Sequence, residues 1–126
     1  MSERRKLVPD ASHPITVAPH PGRVEVWIGE TVVADSDAAL ALREAAYPAV
    51  LYIPRADVAM AELRPSDHTS YCPYKGEAGY FDLPALGDVG KNAVWTYEAP
   101  HDAVAAIAGH VAFYPDRVTF VEHPAG

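Results

Sequence analysis

Apolar and polar side chains alternate most clearly in residues 23–28, where two valines and an isoleucine are separated by Glu25 and Trp27. A period of two is typical of a strand with one buried face. Gly29-Glu30 follows as a plausible tight turn, and Thr31–Ala34 then returns as a second apolar run. The pattern therefore predicts a β-hairpin, which is the strongest local structural signal in the chain.

Further strands are predicted by short apolar runs between turn-forming residues, at positions 49–53, 80–83, 94–97, 111–114 and 118–121. We expect the last two runs to form a terminal hairpin, because Pro-Asp-Arg separates them. Residues 55–63 and 101–108 could form short helical turns, whereas 65–76 and 87–92 are rich in turn-forming residues and are predicted as loops. The whole pattern indicates a mainly antiparallel β domain with one or two short helices.

Residues 36–47 fit two structures. Ser36 could cap a helix, and the alanines that follow have high helix propensity. Leu40 and Leu42, however, alternate as in a strand, and Pro48 ends any helix at about the residue before it. The residues alone leave helix and strand open.

Length and charge limit the class of protein. The chain has 126 residues and is 49% hydrophobic, which fits one domain at residues 15–126, preceded by a flexible N-terminal arm at residues 1–14. Seventeen acidic against ten basic residues give a net charge of −7, which argues against a nucleic-acid partner. No apolar run approaches the roughly 20 residues that span a bilayer. The single cysteine and the lack of a signal-peptide pattern predict a cytoplasmic protein.

Reactive side chains converge in residues 69–76, which read Thr-Ser-Tyr-Cys-Pro-Tyr-Lys-Gly. Lys75 follows Cys72 by three residues, so its ammonium could favour the thiolate or, once desolvated, act as a nucleophile. His68 or Asp57 could carry the proton. Alternatively, Cys72 lies in a buried structural turn, since free cysteine is among the most buried residue types.

Other groups could complete a binding pocket. Arg55 and Asp57 form a second polar cluster, while Trp95 and Tyr97 share a strand face and could wall a ligand or fill the core. The sequence contains no nucleophile elbow, phosphate-binding loop or dinucleotide fingerprint. One cysteine and six scattered histidines predict no metal site, and we expect no cofactor.

Several ordered segments resemble the domain-of-unknown-function family 427, which is sometimes labelled nucleotidyltransferase-like; they are residues 52–58, 67–69, 72–76, 93–97 and 111–114. The resemblance covers about residues 24–122 and implies small, strongly coiled antiparallel sheets of the β-tent kind, with residues 38–46 extended. It implies no established reaction. Nucleotidyl transfer would need metal-bound carboxylates and a phosphate cradle, which the sequence lacks. Because the Cys-Pro-Tyr-Lys-Gly element is shared with the family, the resemblance favours a pocket over a structural turn.

We therefore predict a pocket for a small anionic ligand at this loop. If the protein is an enzyme, Cys72 or Lys75 is the nucleophile. Arg55, Lys75 and Thr69 would hold the anion, and the full set of predicted ligand-binding residues is Arg55, Asp57, Thr69, Tyr74, Trp95 and Tyr97. The alternative is a non-catalytic interaction module or homodimer, in which exposed sheet edges pair with another chain.

Overall fold

The computed structural model describes residues 5–125 and contains ten β-strands within that range. Residues 1–4 of the predicted N-terminal arm lie outside the described residues. In chain order, the strands are β1 (Ile15–Pro19), β2 (Arg23–Ile28), β3 (Thr31–Ser36), β4 (Leu40–Glu44), β5 (Val50–Pro54), β6 (Arg64–Cys72), β7 (Gly76–Asp82), β8 (Val94–Thr96), β9 (His110–Phe113) and β10 (Thr119–His123).

The helical structure of residues 5–125 consists of four short 3₁₀ segments, at Arg55–Asp57, Met60–Glu62, Pro84–Gly90 and Asp102–Ile107. Prolines precede or begin two of them, where a fixed φ suits the start of a helical turn. No helix in this part of the chain combines the length and the apolar character needed to cross a bilayer. The predicted class, mainly antiparallel β with short helical segments, is confirmed.

The strands form two antiparallel sheets. The larger has the order β1-β4-β5-β9-β8-β7-β6, and the smaller has the order β10-β2-β3. Both sheets are open and neither is strongly curled. The strong coiling that the family resemblance implied is therefore not found, since each sheet keeps two free edges instead of curling towards closure.

The smaller sheet packs on one face of the larger. Val24 and Val26 of β2 share a buried cluster with Ile53, Val94 and Val111, all of them fully buried. A second cluster lies on the opposite face, where the 3₁₀ segment Asp102–Ile107 covers it; its members are Leu42, Tyr52, Ala78, Tyr97, Val104, Ile107 and Ala112. Burial of each large apolar side chain contributes about 1.5–3 kcal/mol, so both faces stabilise the larger sheet.

Two local predictions are confirmed. The predicted hairpin is the β2–β3 pair, with its turn at Gly29-Glu30. Leu40–Glu44 is strand β4, so the extended alternative for this region is correct. Leu42 is only 1% exposed within the second cluster, and this packing outweighs the helix propensity of the neighbouring alanines.

Two local predictions are wrong, and one strand was not predicted. β9 and β10 do not form a hairpin, because β9 lies between β5 and β8, whereas β10 pairs with β2 in the other sheet. The segment predicted as a loop at residues 65–76 is mostly strand β6. Its side chains are largely exposed because β6 is an edge strand, so its sequence carries no clear alternation. Strand β1, at the other edge, was not predicted.

Candidate functional site

Strand alternation distributes the predicted site residues over both faces of the larger sheet. Thr69 lies opposite Gly79, and Gly79 lies opposite Thr96, so these three residues form a row across β6, β7 and β8. Cys72 lies three positions after Thr69, and an odd separation along a strand reverses the face. The thiol and the Thr69 hydroxyl therefore belong to opposite faces of the sheet.

The Cys72–Gly76 segment is the turn that joins β6 to β7, as its sequence predicted. The Lys75 N–H donates a hydrogen bond to the Cys72 carbonyl at 3.2 Å, which closes the turn. Gly76 has φ +111°, a region that favours glycine, and a Cβ there would lie 3.3 Å from the ring of His101. The backbone of this turn is therefore fixed by contacts on both sides.

Lys75 is held in an ion pair on this turn. Its Nζ donates to Glu44 Oε1 at 2.6 Å, while His13 Nε2 lies 2.8 Å from Glu44 Oε2. The His13 ring also stacks on Tyr74, with centroids 4.1 Å apart. Burial acts to raise the pKa of Glu44, but the hydrogen bonds from Lys75 and His13 outweigh it, so the pKa is lowered. The Lys75 ammonium is thus already neutralised by a carboxylate.

The predicted aromatic walls lie on the same face as Cys72, but they are part of the core. Tyr97 is 5% exposed in the second cluster, and Trp95 Nε1 donates to the Tyr52 hydroxyl at 3.1 Å. Burial raises the pKa of Tyr52 to about 12 and raises that of Tyr97 as well. Both phenols therefore stay neutral even near pH 10, where an exposed tyrosine ionises. Cys72 itself is a half-buried free thiol.

Arg55 occupies a different position, at the end of β5 on the face that carries Thr96. Its guanidinium lies over the Phe81 ring at 5.6 Å from the centroid. Its Nη2 donates to Thr96 Oγ1 at 3.2 Å and to Glu98 Oε1 at 2.8 Å. The Arg55 Nε is buried and finds no hydrogen-bond partner among the described residues.

A groove of about 390 Å³ opens beside this guanidinium, and we call it the Arg55 groove. Seven of its ten lining residues carry a polar side-chain group; the lining consists of Arg55, Pro65, Ser66, His68, Thr69, Gly79, Tyr80, Phe81, Thr96 and Glu98. The Ser66 hydroxyl donates a hydrogen bond to the Asn92 side chain and accepts one from the His68 backbone N–H. The centroid of the His68 ring lies 4.5 Å from that of the Tyr80 ring. Of the predicted ligand residues, Arg55 and Thr69 meet here.

Asp57 does not line the Arg55 groove. Its carboxylate accepts a hydrogen bond of 2.6 Å from Ser36, a residue that is 3% exposed at the end of β3. Asp57 thereby ties the 3₁₀ segment after β5 to the smaller sheet. Within residues 5–125, no three His, Cys, Asp or Glu side chains form a group that could hold a metal ion.

Several residues of these two regions were not predicted. Glu44, the partner of Lys75, and His13, which bonds Glu44, are 31 and 62 positions away from Lys75 in sequence, so no local spacing could reveal them. Thr96 could have been found, because it alternates with Trp95 and Tyr97 in a predicted strand and so belongs to the other face. Glu98 could not, since its pairing with Arg55 depends on the order of strands in the sheet.

Fold and groove together define a two-sheet antiparallel β domain, in which a cleft on the larger sheet contains the Arg55 guanidinium. The sequence profile of a family described as a domain of unknown function, DUF427, matches residues 16–123. The chain therefore belongs to this family, and the predicted resemblance is confirmed. A search among curated proteins finds no match to the chain.

Proposed function

We propose that this domain binds a small anionic ligand, a carboxylate or a phosphate, in the Arg55 groove. The observation that carries the proposal is the state of the Arg55 side chain, which is held by Thr96 and Phe81 but has a buried Nε–H without a partner among the described residues. A guanidinium in this state, next to a groove of about 390 Å³, has the size and chemistry of a small-ligand site.

The donor geometry of Arg55 favours a planar anion. Nε and Nη2 lie on one edge of a guanidinium and can together bind the two oxygens of a carboxylate or phosphate. Glu98 uses one oxygen on Nη2, and the Nε–H has no partner in the described structure. A buried donor without a partner costs about 1–3 kcal/mol, which a bidentate ligand that takes the place of the Glu98 carboxylate would recover.

Glu98 is an exchangeable partner. Its side chain is 71% exposed, and exposed ion pairs contribute only about 0–1 kcal/mol. Arg55, in contrast, is also held by Thr96, which is 2% exposed, and by the Phe81 ring. A ligand anion can therefore replace the Glu98 carboxylate while the guanidinium stays in position.

The walls of the groove offer further hydrogen-bonding groups to such a ligand. Thr69 and Ser66 supply hydroxyls, and His68 supplies a ring nitrogen. Tyr80 and Phe81 supply an aromatic side. We include Thr69 and His68 in the proposed site, with Arg55 as its anchor.

The test is a titration of the protein with inorganic phosphate and, separately, with acetate, followed by amide chemical shifts in NMR spectra. We expect shifts confined to residues 66–69, 79–81 and 96–98. Glu98→Gln removes the competing carboxylate and should tighten binding several-fold. Arg55→Lys keeps the charge but loses the two-nitrogen edge, and should weaken binding about tenfold or more.

Arg117→Lys is the matched control. Arg117 also lies over an aromatic ring, that of Tyr114, and donates to the Val89 carbonyl outside the groove. This variant should bind phosphate and acetate as the unmodified protein does. Equal binding by the Arg55→Lys protein, or shifts that spread over the surface, would refute the proposal.

This proposal requires no nucleophile. Cys72 and Lys75 were predicted from the sequence as catalytic residues. Neither lines the Arg55 groove, and neither belongs to the row formed by Thr69, Gly79 and Thr96. Their catalytic role stays a prediction, and a reactivity experiment for the thiol is described in the Discussion.

A further inference from the structure

The larger sheet contains a gap between two of its central strands. The ladder between β5 and β9 has only two residue pairs and ends at Ile53–Val111. On their outer sides, the same strands continue to pair with β4 and β8, as far as Val50 and Phe113. Beyond the Ile53 pair no residue pair joins β5 to β9, and an apolar cavity there is lined by Val50 and Leu51 of β5 and by Phe113 of β9. We call the resulting space the β5–β9 slit.

The β5–β9 slit is an apolar cavity of about 210 Å³. Seven of its eight lining residues are apolar and one is a glutamate: Ala49, Val50, Leu51, Trp95, Phe113, Pro115, Phe120 and Glu122. Trp95 is a fixed wall, because its Nε1 bonds the Tyr52 hydroxyl and its ring lies 4.6 Å from that of Tyr114. This wall of the slit is thus held in place by contacts outside the cavity.

The charge at the slit is a single carboxylate. Glu122 is 56% exposed, and its Oε1 lies 2.8 Å from His20 Nε2. An ammonium group of a ligand could take the place of the His20 ring, since exposed pairs of this kind are weak. A ligand anion would be repelled by the same carboxylate, in a chain whose net charge is already −7.

We propose that the β5–β9 slit binds a small aromatic molecule that carries an ammonium group. The ring lies against Trp95 and Phe113, and the ammonium lies at the Glu122 carboxylate. The size is appropriate for one ring, since an apolar cavity of about 150 Å³ is known to bind benzene. This site is distinct from the Arg55 groove and does not depend on the function proposed for that groove.

The experiment uses Trp95 as the reporter. The chain has two tryptophans, so Trp27→Phe leaves Trp95 as the single source of tryptophan emission. Three probes share one ring and differ in charge: benzylamine is a cation near pH 7, benzyl alcohol is neutral and benzoate is an anion. We expect benzylamine to change the Trp95 emission at the lowest concentration, benzyl alcohol at a higher one and benzoate at the highest.

Two variants in the Trp27→Phe background assign the binding. Glu122→Gln should weaken benzylamine binding roughly two- to fivefold and leave benzyl alcohol binding unchanged, because it removes the charge but not the apolar walls. His20→Gln, the matched control, removes the other member of the ion pair and should leave benzylamine binding unchanged or strengthen it. Ala49→Phe adds a ring at an exposed position of the slit and should block all three probes.

Several outcomes would overturn the proposal. Benzoate binding as tightly as benzylamine would refute the ligand class, and an unchanged response in Ala49→Phe would refute the location. The absence of any response at millimolar benzylamine would refute the site. If sedimentation shows a dimer that Ala49→Phe converts to a monomer, a second copy of the chain covers the slit and the small-molecule proposal fails.

Discussion

The Arg55 groove and the Cys72–Gly76 turn each contain a cation paired with a glutamate, yet the two regions differ in what they can bind. The Lys75–Glu44 pair is 2.6 Å long, with side chains 14% and 16% exposed. The Arg55–Glu98 pair is 2.8 Å long, with side chains 33% and 71% exposed. The distances are similar, so burial of the partner carboxylate is what separates the two sites.

The comparison shows that a lysine or arginine found in the sequence is not always available to bind a ligand. Glu44 is fully engaged, because Lys75 binds one of its oxygens and His13 the other. Glu98 gives one oxygen to Arg55 and is largely in water. A ligand anion at Lys75 would have to displace the Glu44 carboxylate, which is mostly buried and accepts hydrogen bonds at both oxygens. A ligand anion at Arg55 would displace the exposed Glu98 carboxylate instead.

The largest expected effect is on stability. Lys75→Met leaves the Glu44 carboxylate mostly buried without its strongest partner, and should lower the free energy of unfolding by about 2 kcal/mol. Glu98→Gln should change it by less than about 0.5 kcal/mol. Urea unfolding of both variants measures the difference. Equal losses would mean that the two pairs are equivalent, and the comparison would fail.

The next effect is a pH dependence that belongs to Glu44. Because the folded protein lowers the pKa of this carboxyl, Glu44 contributes stability above its unfolded pKa, and this contribution is lost as the pH falls below about 5. The expected loss is about 1 kcal/mol.

Urea unfolding between pH 6 and pH 3 is the measurement. Glu44→Gln should reduce the loss in the free energy of unfolding as the pH falls. Lys75→Met removes one of the two hydrogen-bond donors to Glu44 and should retain part of that loss. An equally steep decline in Glu44→Gln would contradict the role of the cluster.

The smallest expected effect concerns the thiol. Since Cys72 lies on the face opposite Thr69, phosphate bound in the Arg55 groove should change the rate of Cys72 alkylation by iodoacetamide less than twofold. The same assay tests the predicted activation of the thiol by Lys75, because a clearly slower reaction in Lys75→Met would support it. Strong protection of Cys72 by phosphate would place the thiol and the groove in one site.

Local patterns in the sequence were sufficient for much of the fold. Alternation located β2, and short apolar runs located β3, β5 and β8, because each of these strands buries one face or both. Edge strands were harder: most side chains of β6 are exposed, so its composition resembles that of a loop. The order of strands in the sheets could not be read either, which is why β9 and β10 were joined in a hairpin.

The site was less predictable than the fold for the same reason. Arg55, Thr69, Cys72 and Lys75 were selected for their chemistry, and a one-dimensional pattern says little about which of them meet. Thr69 lines the same groove as Arg55 because β6, β7 and β8 are neighbours, and Lys75 bonds Glu44 because the turn reaches β4. Both arrangements join residues that are distant in the sequence, so only the folded chain reveals them.

The N-terminal segment before β1 has a practical consequence for work on this protein. The Tyr71 hydroxyl donates to the Arg5 carbonyl, the Leu7 N–H donates to the Pro73 carbonyl, and His13 covers Tyr74. A protease that cuts just after Pro14 would therefore uncover the ring of Tyr74, two positions after Cys72, and remove one hydrogen-bond donor from Glu44. Purified samples should be checked by mass spectrometry for such trimming, since a shortened preparation would give misleading alkylation rates and acid tolerance.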